Sequence, residues 1–393
     1  MGTTRTGDLG ARAGLRLISV WSRAVAIFVA AAFLLLAGGS GIAGGQDLKQ
    51  APAITIYAGP NLNAPPPGVS PQSDALAFFP SSVTVHAGQS ITWQFRGFHT
   101  VTFPGANANP PFVTPHPETP QSALNDAAGL PFWWVGKAPS LQLDPFALLP
   151  QGGATVSKPT DVRSSGLVRI LTAPANGAPK PYTLKFLKPG AYHFLCLVHR
   201  GMRGTIRVLA AKTKAKTSTP TSVAKQTAAQ LAGIVGQLKQ LDQTKPANPL
   251  EVFVGAGAQS GAEITSFYPK QLSVKVGDTV TFTQNDPTDI HTVTFGPEPY
   301  TTPIEQGFVQ PLGSPPVFVL NPLGALPSEP PGSPSPVPYD GTNHGNGYLS
   351  AGILFPLQVP GQPHQFAVKF TKPGTYRLEC VIHKNMDASV VVQ

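Results

Sequence analysis

Cys196-Leu197-Val198-His199-Arg200-Gly201-Met202 and Cys380-Val381-Ile382-His383-Lys384-Asn385-Met386 share one spacing: cysteine, two residues, histidine, two residues, methionine. The 393-residue chain has 2 cysteines and 3 methionines, one of them the initiator. Both scarce sulfur residue types are therefore confined to one repeated motif. A buried cysteine usually acts as a small apolar filler, but that role does not explain the confinement. The preceding turns also match: Lys188-Pro189-Gly190-Ala191-Tyr192 and Lys372-Pro373-Gly374-Thr375-Tyr376.

The likeness continues upstream. Phe79-Pro80-Ser81-Ser82-Val83-Thr84-Val85-His86-Ala87-Gly88 parallels Tyr268-Pro269-Lys270-Gln271-Leu272-Ser273-Val274-Lys275-Val276-Gly277. Each then runs into His-Thr-Val-Thr-Phe, at 99–103 and 291–295. The unit is too long for a solenoid repeat and reads as two copies of one domain. Val83-Thr84-Val85 and Ser90–Phe95 alternate polar and apolar residues around Ala87-Gly88, and read as strands joined by a turn. Tyr182–Phe186 and 192–195 flank Lys188-Pro189-Gly190, a hairpin signal. Short strands punctuated by Gly and Pro predict an all-β chain of two antiparallel Greek-key β-sandwiches. The expected domains are 50–210 and 249–393.

Between them, 211–248 opens as a solvated linker. It continues as a helix capped by Ser222, with a stripe of Ala224, Ala228, Leu231, Val235 and Leu238, expected to pack on one domain. Each domain carries a long Pro-rich insertion, about 104–163 and 296–348. These match at Leu143-Asp144-Pro145-Phe146-Ala147-Leu148-Leu149-Pro150 and Leu320-Asn321-Pro322-Leu323-Gly324-Ala325-Leu326-Pro327. Loops of this length are usually functional or disordered.

The motif spacing has a chemical reason. A cysteine at a strand end supplies a thiolate, and a tight loop after it returns an imidazole and a thioether to the same point. A thiolate and two imidazoles in a trigonal plane, with a weak axial thioether, are the ligands of a blue, type 1 copper site. The duplicated His-Thr-Val-Thr-Phe segments offer the second imidazole, His99 in one copy and His291 in the other. Zinc is a poorer reading, since methionine is a poor zinc ligand. A disulfide between Cys196 and Cys380 would suit an exported chain, but it leaves four histidines unexplained.

With these residues in place, the sequence resembles the cupredoxin family, most closely its amicyanin, plastocyanin and pseudoazurin branch. The His-to-Met spacing is similar to that of amicyanin, and the Pro-Gly-x-Tyr before each cysteine is similar to a family hallmark. The resemblance implies that His99, Cys196, His199 and Met202, and then His291, Cys380, His383 and Met386, are copper ligands, giving two type 1 copper ions per chain. Two departures stand out. Thr100 and Thr292 stand where many members carry Asn, and the insertions stretch the His-to-Cys separation far beyond that of small cupredoxins. In the family, electrons are thought to leave through the exposed edge of the loop histidine, His199 or His383 here. The insertions begin beside the other histidine and are expected to fold over that edge. Deleting 108–160 should then expose the first site alone.

The remaining histidines lack this pattern. His86 aligns with Lys275 and His193 with Arg377, which places both on exposed strand or turn positions. His116, His344 and His364 have no counterparts and read as surface residues. Trp133-Trp134 reads as an anchor of the first insertion on its sandwich in preference to a docking surface.

The N-terminus bounds the setting. Arginines precede an apolar core at 24–37, followed by small residues, so 1–45 reads as a signal peptide or an N-terminal membrane anchor, with 24–43 as the possible tether. The protein is then exported: periplasmic, cell-surface or secreted. The net charge of +9 is dispersed, with no basic and aromatic nucleic-acid footprint. Multidomain copper oxidases and nitrite reductases carry a His adjacent to the type 1 Cys and His-x-His pairs. Here Leu195 and Glu379 precede the cysteines, and no His-x-His occurs. The expected function is electron transfer with protein redox partners, not enzymatic catalysis. Extracytoplasmic copper binding or storage is the alternative.

Overall fold

The computed structural model describes residues 54–60, 65–106, 110–121, 124–167, 179–199, 201–313 and 317–393. The candidate signal or anchor and Arg200 of the first motif lie outside the described residues. Among the described residues, no helix is long and apolar enough to cross a membrane.

The chain is a mostly-β protein built as β-sandwiches. In Ser90–Phe95 the residues Ile91, Trp93 and Phe95 are buried and their neighbours are not, the period-2 pattern of a half-buried strand. This strand is central in a sheet ordered Phe78–Phe79, Ile54–Ala58, Ser90–Phe95, Tyr182–Phe186, Thr155–Val156. The facing sheet is ordered Val162–Ser164, Thr102–Pro104, Gly190–Leu195, Arg203–Leu209, Ser82–His86. Trp93, Phe78, Phe103, Phe186 and Phe194 fill the space between them, and Cys196 and Met202 belong to the same core. Each fully buried Phe contributes about 1.5–3 kcal/mol. The first metal-ligand candidates thus sit at the end of a rigid apolar core.

After the helix the arrangement recurs. One sheet runs Ala262–Tyr268, Glu251–Gly257, Thr279–Gln284, Gln365–Phe370, Val337–Tyr339, and the other Gln271–Val274, Asp387–Val392, Gly374–Glu379, His291–Phe295, Leu349–Leu354. Cys380 and Met386 lie in the core between them.

Two local expectations change. The sheets are mixed rather than wholly antiparallel: Ile54–Ala58 runs parallel to Ser90–Phe95, and Arg203–Leu209 runs parallel to Ser82–His86. The chain crosses between sheets at its turns, and such a crossover leaves strands paired in parallel. For the same reason Lys188-Pro189-Gly190 is a corner between sheets and not a hairpin. Tyr192 explains the motif, because its hydroxyl donates to the Lys188 carbonyl at 2.7 Å and pins the corner. Tyr376 does the same to Lys372 at 3.0 Å.

The linker helix, Pro220–Leu241, is capped by Thr219 in a capping box with Ser222 rather than by Ser222 itself. Its buried stripe is Val223, Ile234 and Leu238, with Leu231 alongside. The expected stripe was displaced at its N-terminal half, where Ala224 and Ala228 are exposed. Nor does the helix rest on one sandwich. Ile234 and Leu238 pack with Ala75, Ala77 and Phe79 on one side and with Ala262 and Ile264 on the other.

The halves are joined further by exchanged structure. Ser73–Ala75 adds an edge strand to the second half by pairing with Ala262–Tyr268. The insertions combine into one four-stranded sheet, ordered Val309–Leu312, Val317–Leu320, Pro139–Leu143, Val113–Pro120. Trp134, fully buried, packs with Ile304, Leu323, Tyr348 and Val381, so the Trp133-Trp134 segment is anchored on the second half, while Ala147 of the same insertion packs with Leu195 and Leu197 of the first.

Candidate metal centres

In the first half, His99 follows the loop after Ser90–Phe95, Cys196 directly follows Gly190–Leu195, and His199 and Met202 lie on the short loop before Arg203–Leu209. That loop is tied by the Cys196 N–H to the Met202 carbonyl at 2.9 Å and the Met202 N–H to the His199 carbonyl at 3.0 Å. The spacing of the motif is that of this turn. His99 Nδ1 and His199 Nδ1 lie 3.0 Å apart, and Cys196 Sγ is 3.8 Å from His199 Nδ1. In the second half, His291 Nδ1 and His383 Nδ1 are again 3.0 Å apart, with Cys380 Sγ at 4.0 Å and 3.6 Å from them. One ion at about 2.0 Å from nitrogen and about 2.3 Å from sulfur imposes separations of this size. Met202 and Met386 are each 1% exposed beside their cysteines. Six of the eight sequence-derived residues are thus brought together in two groups of three, and the two methionines are buried in the cores that hold the cysteines.

The surroundings favour a thiolate. Burial alone would raise both thiols, but hydrogen bonds and charge from His199 and His99 hold Cys196 well below its ordinary range, and His291 and His383 do so for Cys380. The Thr100 N–H points at Cys196 Sγ from 3.4 Å, and its hydroxyl accepts the Leu197 N–H at 2.8 Å. Thr292 repeats both contacts. The threonine next to each first histidine therefore holds both the sulfur and the start of the following loop. The first histidines are held by close backbone. Gly255 has φ +74, and a Cβ there would lie 2.3 Å from His291 Nε2. Gly59, at φ +87, cradles His99 in the same way.

Three residues escaped the sequence reading: Asp286, Asp289 and Glu263. All are buried. Asp289 Oδ2 lies 3.1 Å from His383 Nε2 and 3.6 Å from His199 Nε2, so one carboxylate faces both loop histidines. Asp286 Oδ2 is 3.9 Å from His291 Nε2. Burial opposes charge on His199, but the Asp289 carboxylate raises its pKa to about 9, and the same carboxylate holds His383 well above its ordinary value against burial. Burial would also raise Asp289, but His199 and His383 hold it far below the usual carboxylate range. Glu263 is driven well above its ordinary value by burial and by the Asp286 and Asp289 charges. A signal was available: Asn285-Asp286-Pro287-Thr288-Asp289-Ile290 precedes His291, where the first copy has only Arg96-Gly97-Phe98 before His99.

The other histidines stay outside these loci. His193 is exposed, His86 holds the Ala210 carbonyl at 3.1 Å, and His364 holds that of Phe355 at 2.8 Å. His344 is not a free surface residue. Its two nitrogens reach Asp126 at 3.0 Å and Glu329 at 3.1 Å, joining the insertions. Between the halves lies a cavity of about 1320 Å³ bordered by Asp74, His199, Glu263, Asp289 and His383.

Fold and site together define a mostly-β protein of β-sandwiches with two His-Cys-His clusters whose ligand atoms lie within 4.8 Å of one another and could hold a metal ion. Among solved structures, the chain is similar to oxidised plastocyanin from Dryopteris crassirhizoma at 22% identity, over 36% of this chain and 99% of that one, with a TM-score of 0.19. It is similar to reduced auracyanin from Roseiflexus castenholzii at 16% identity, over 36% and 94%, with a TM-score of 0.23. It is also similar to a purple cupredoxin from Nitrosopumilus maritimus at 14% identity, over 36% and 98%, with a TM-score of 0.19. No protein-family model and no curated protein sequence matches the chain.

Proposed function

We propose that the protein is an exported electron-transfer protein with two type 1 copper sites, one in each copy of a duplicated cupredoxin-like domain. The observation that carries this reading is the convergence, twice, of one cysteine sulfur and one nitrogen from each of two histidines to within 4.8 Å of one another, in a core that also buries a methionine. Soft sulfur suits Cu(I), and imidazole serves both oxidation states. Copper bound there would cycle between Cu(II) and Cu(I) by single electrons. His99, Cys196, His199 and Met202 would hold one ion, and His291, Cys380, His383 and Met386 the other.

The chain's own residues do the rest. The neighbouring histidines hold the sulfur as thiolate, Thr100 and Thr292 fix its position, and the apolar cores keep both loops rigid, so little rearranges when charge changes. Export through 1–45, cleaved or retained as an anchor, and service to protein redox partners belong to this reading, as does the absence of catalysis.

The test is copper-loaded protein, assayed for metal and colour. Two coppers per chain and an intense thiolate-to-copper band are expected. Cys196→Ser should remove roughly half of that band and Cys380→Ser the other half, because the chromophore is the thiolate. A colourless protein with zinc, or a single copper, would sink the reading. Reversible one-electron potentials at both sites separate transfer from storage.

A further inference from the structure

The outward edges of the two loop histidines turn to a common carboxylate. His199 Nε2 and His383 Nε2 meet one atom, Asp289 Oδ2, at 3.6 Å and 3.1 Å. The carboxylate is fixed in place. Its other oxygen accepts the Ile290 N–H at 2.7 Å, its own N–H donates to Asp286 Oδ1 at 3.2 Å, and its carbonyl takes Gln284 Nε2 at 2.7 Å. Asp289 is 6% exposed. Thr288, its neighbour, lies against Gly201 of the first loop, where a Cβ would approach Thr288 Cγ2 to 2.9 Å. The acidic turn of the second half is therefore seated on the metal loop of the first.

We propose that Asp289 couples the two metal centres, so that they exchange electrons within one chain along His199, Asp289 and His383. This inference rests on the type 1 copper reading. In each cluster Nδ1 points inward to the sulfur and the other imidazole, while Nε2 points outward. A ring conjugated from Nδ1 to Nε2 carries electronic coupling from the centre to its edge. Here the two edges are separated by a single oxygen, so each loop histidine has the other as its nearest redox neighbour. The step moves one electron from a reduced centre to an oxidised one. No bond forms or breaks, and no proton needs to leave.

The surroundings also give the exchange a direction. The second centre has carboxylates against both of its imidazoles, Asp286 at 3.9 Å from His291 and Asp289 at 3.1 Å from His383. Neither His99 Nε2 nor His291 Nε2 has a hydrogen-bond partner among the described residues, but Asp286 lies near His291, whereas His99 Nε2 sits against the backbone of Gly59 and Gly97. Carboxylates on the far nitrogen raise ligand basicity and favour the more highly charged metal state. The second centre therefore has the lower potential, and an electron arriving there passes to the first.

The experiment uses full-length protein with both sites copper-loaded. Each site's absorption and potential are first recorded in the Cys380→Ser and Cys196→Ser variants by spectroelectrochemistry. A light-driven pulse then delivers less than one electron per chain. The expected result is a redistribution phase from second to first site whose rate does not change with protein concentration, and which Asp289→Ala slows by an order of magnitude or more. Asp289→Asn keeps the side-chain shape and guards against misfolding of the alanine variant. It should raise the potential of the second site and narrow the gap between the two. Two blue sites with no concentration-independent phase would overturn this inference alone, as would a phase unchanged in Asp289→Ala. Fewer than two blue sites would overturn it together with the copper reading.

Discussion

The Thr100 N–H points at Cys196 Sγ from 3.4 Å while its hydroxyl receives the Leu197 N–H at 2.8 Å. One residue thus steadies both the sulfur and the start of the metal loop. Thr100→Val keeps the shape but leaves the buried Leu197 N–H without its acceptor, which costs about 1–3 kcal/mol. Chemical denaturation of the copper-free protein should show that loss, and the thiolate-to-copper band should shift as the loop relaxes. Thr100→Ser restores the acceptor and should recover most of both. Equal stability in the valine and wild-type proteins would show that the hydroxyl does not hold the loop.

Met202 and Met386 are each 1% exposed within their cores. Leucine is close in volume and should be accommodated at small cost. A weak axial thioether stabilises Cu(II) more than Cu(I), so Met202→Leu should raise the potential of the first site and Met386→Leu that of the second. Copper should remain bound in both. Loss of copper from either leucine variant, measured by metal analysis after dialysis, would make the methionine an essential ligand rather than a tuning one.

His344 gives the molecule a pH-dependent clasp. Burial lowers its affinity for a proton, but Glu329 and Asp126 outweigh burial and raise it above the ordinary 6.5. Its stabilisation is therefore complete below 6.5 and fades as pH rises through the folded-state value. Asp126 moves the other way. Burial opposes the shift, yet the Leu130 N–H and His344 lower it from 3.8, so its contribution is lost only as pH falls through that lowered value. The rings of Phe132 and Tyr348 also lie beside the imidazole, at centroid distances of 4.9 and 5.9 Å. Thermal unfolding should show stability greatest in mildly acidic solution and declining toward alkaline pH. His344→Gln should flatten the alkaline side. An identical pH profile in wild type and variant would show that the clasp does not contribute.

What was legible in the sequence was what recurs in it. The two Cys-x2-His-x2-Met loops and the His-Thr-Val-Thr-Phe strands marked the cysteines and histidines that the fold gathers into two groups of three, because each signal is local to one turn or one strand. What was not legible depends on how the halves meet. Asp289 is one acid in an unrepeated loop, and only the seating of that loop on Gly201 brings it to His199. The helix register slipped because Ala224 and Ala228 are as compatible with an apolar stripe as Val223, and the choice is made by surfaces on both halves. His344 looked like a surface residue because its partners lie in two separate insertions.

The insertions lead to the last prediction. Val198 and Ile382, the residues before His199 and His383, pack into one apolar cluster with Leu143, Leu148, Leu320 and Phe308 of the insertions. Leu197 is covered by Ala147, Phe112 and Phe146. Val381, next to Cys380, lies under Trp134, which is stacked on Phe132 at 4.5 Å and 6°. The indole N–H of Trp133 fixes this segment by donating to the Pro327 carbonyl at 2.9 Å. The first insertion thus covers both metal loops, its own through Phe112 and Ala147 and the other through Trp134. Deleting 108–160 should therefore speed reduction by a small-molecule reductant at both sites, not at the first alone. Trp134→Ala separates the two effects. Truncating a buried aromatic costs about 3–5 kcal/mol, and the space it opens lies over Val381. Stopped-flow reduction of the copper-loaded variant should become faster at the second site and stay unchanged at the first. Each site can be followed alone in a Cys196→Ser or Cys380→Ser background. Unchanged rates at a still-blue second site would mean that Trp134 fastens the halves together without restricting access to the metal.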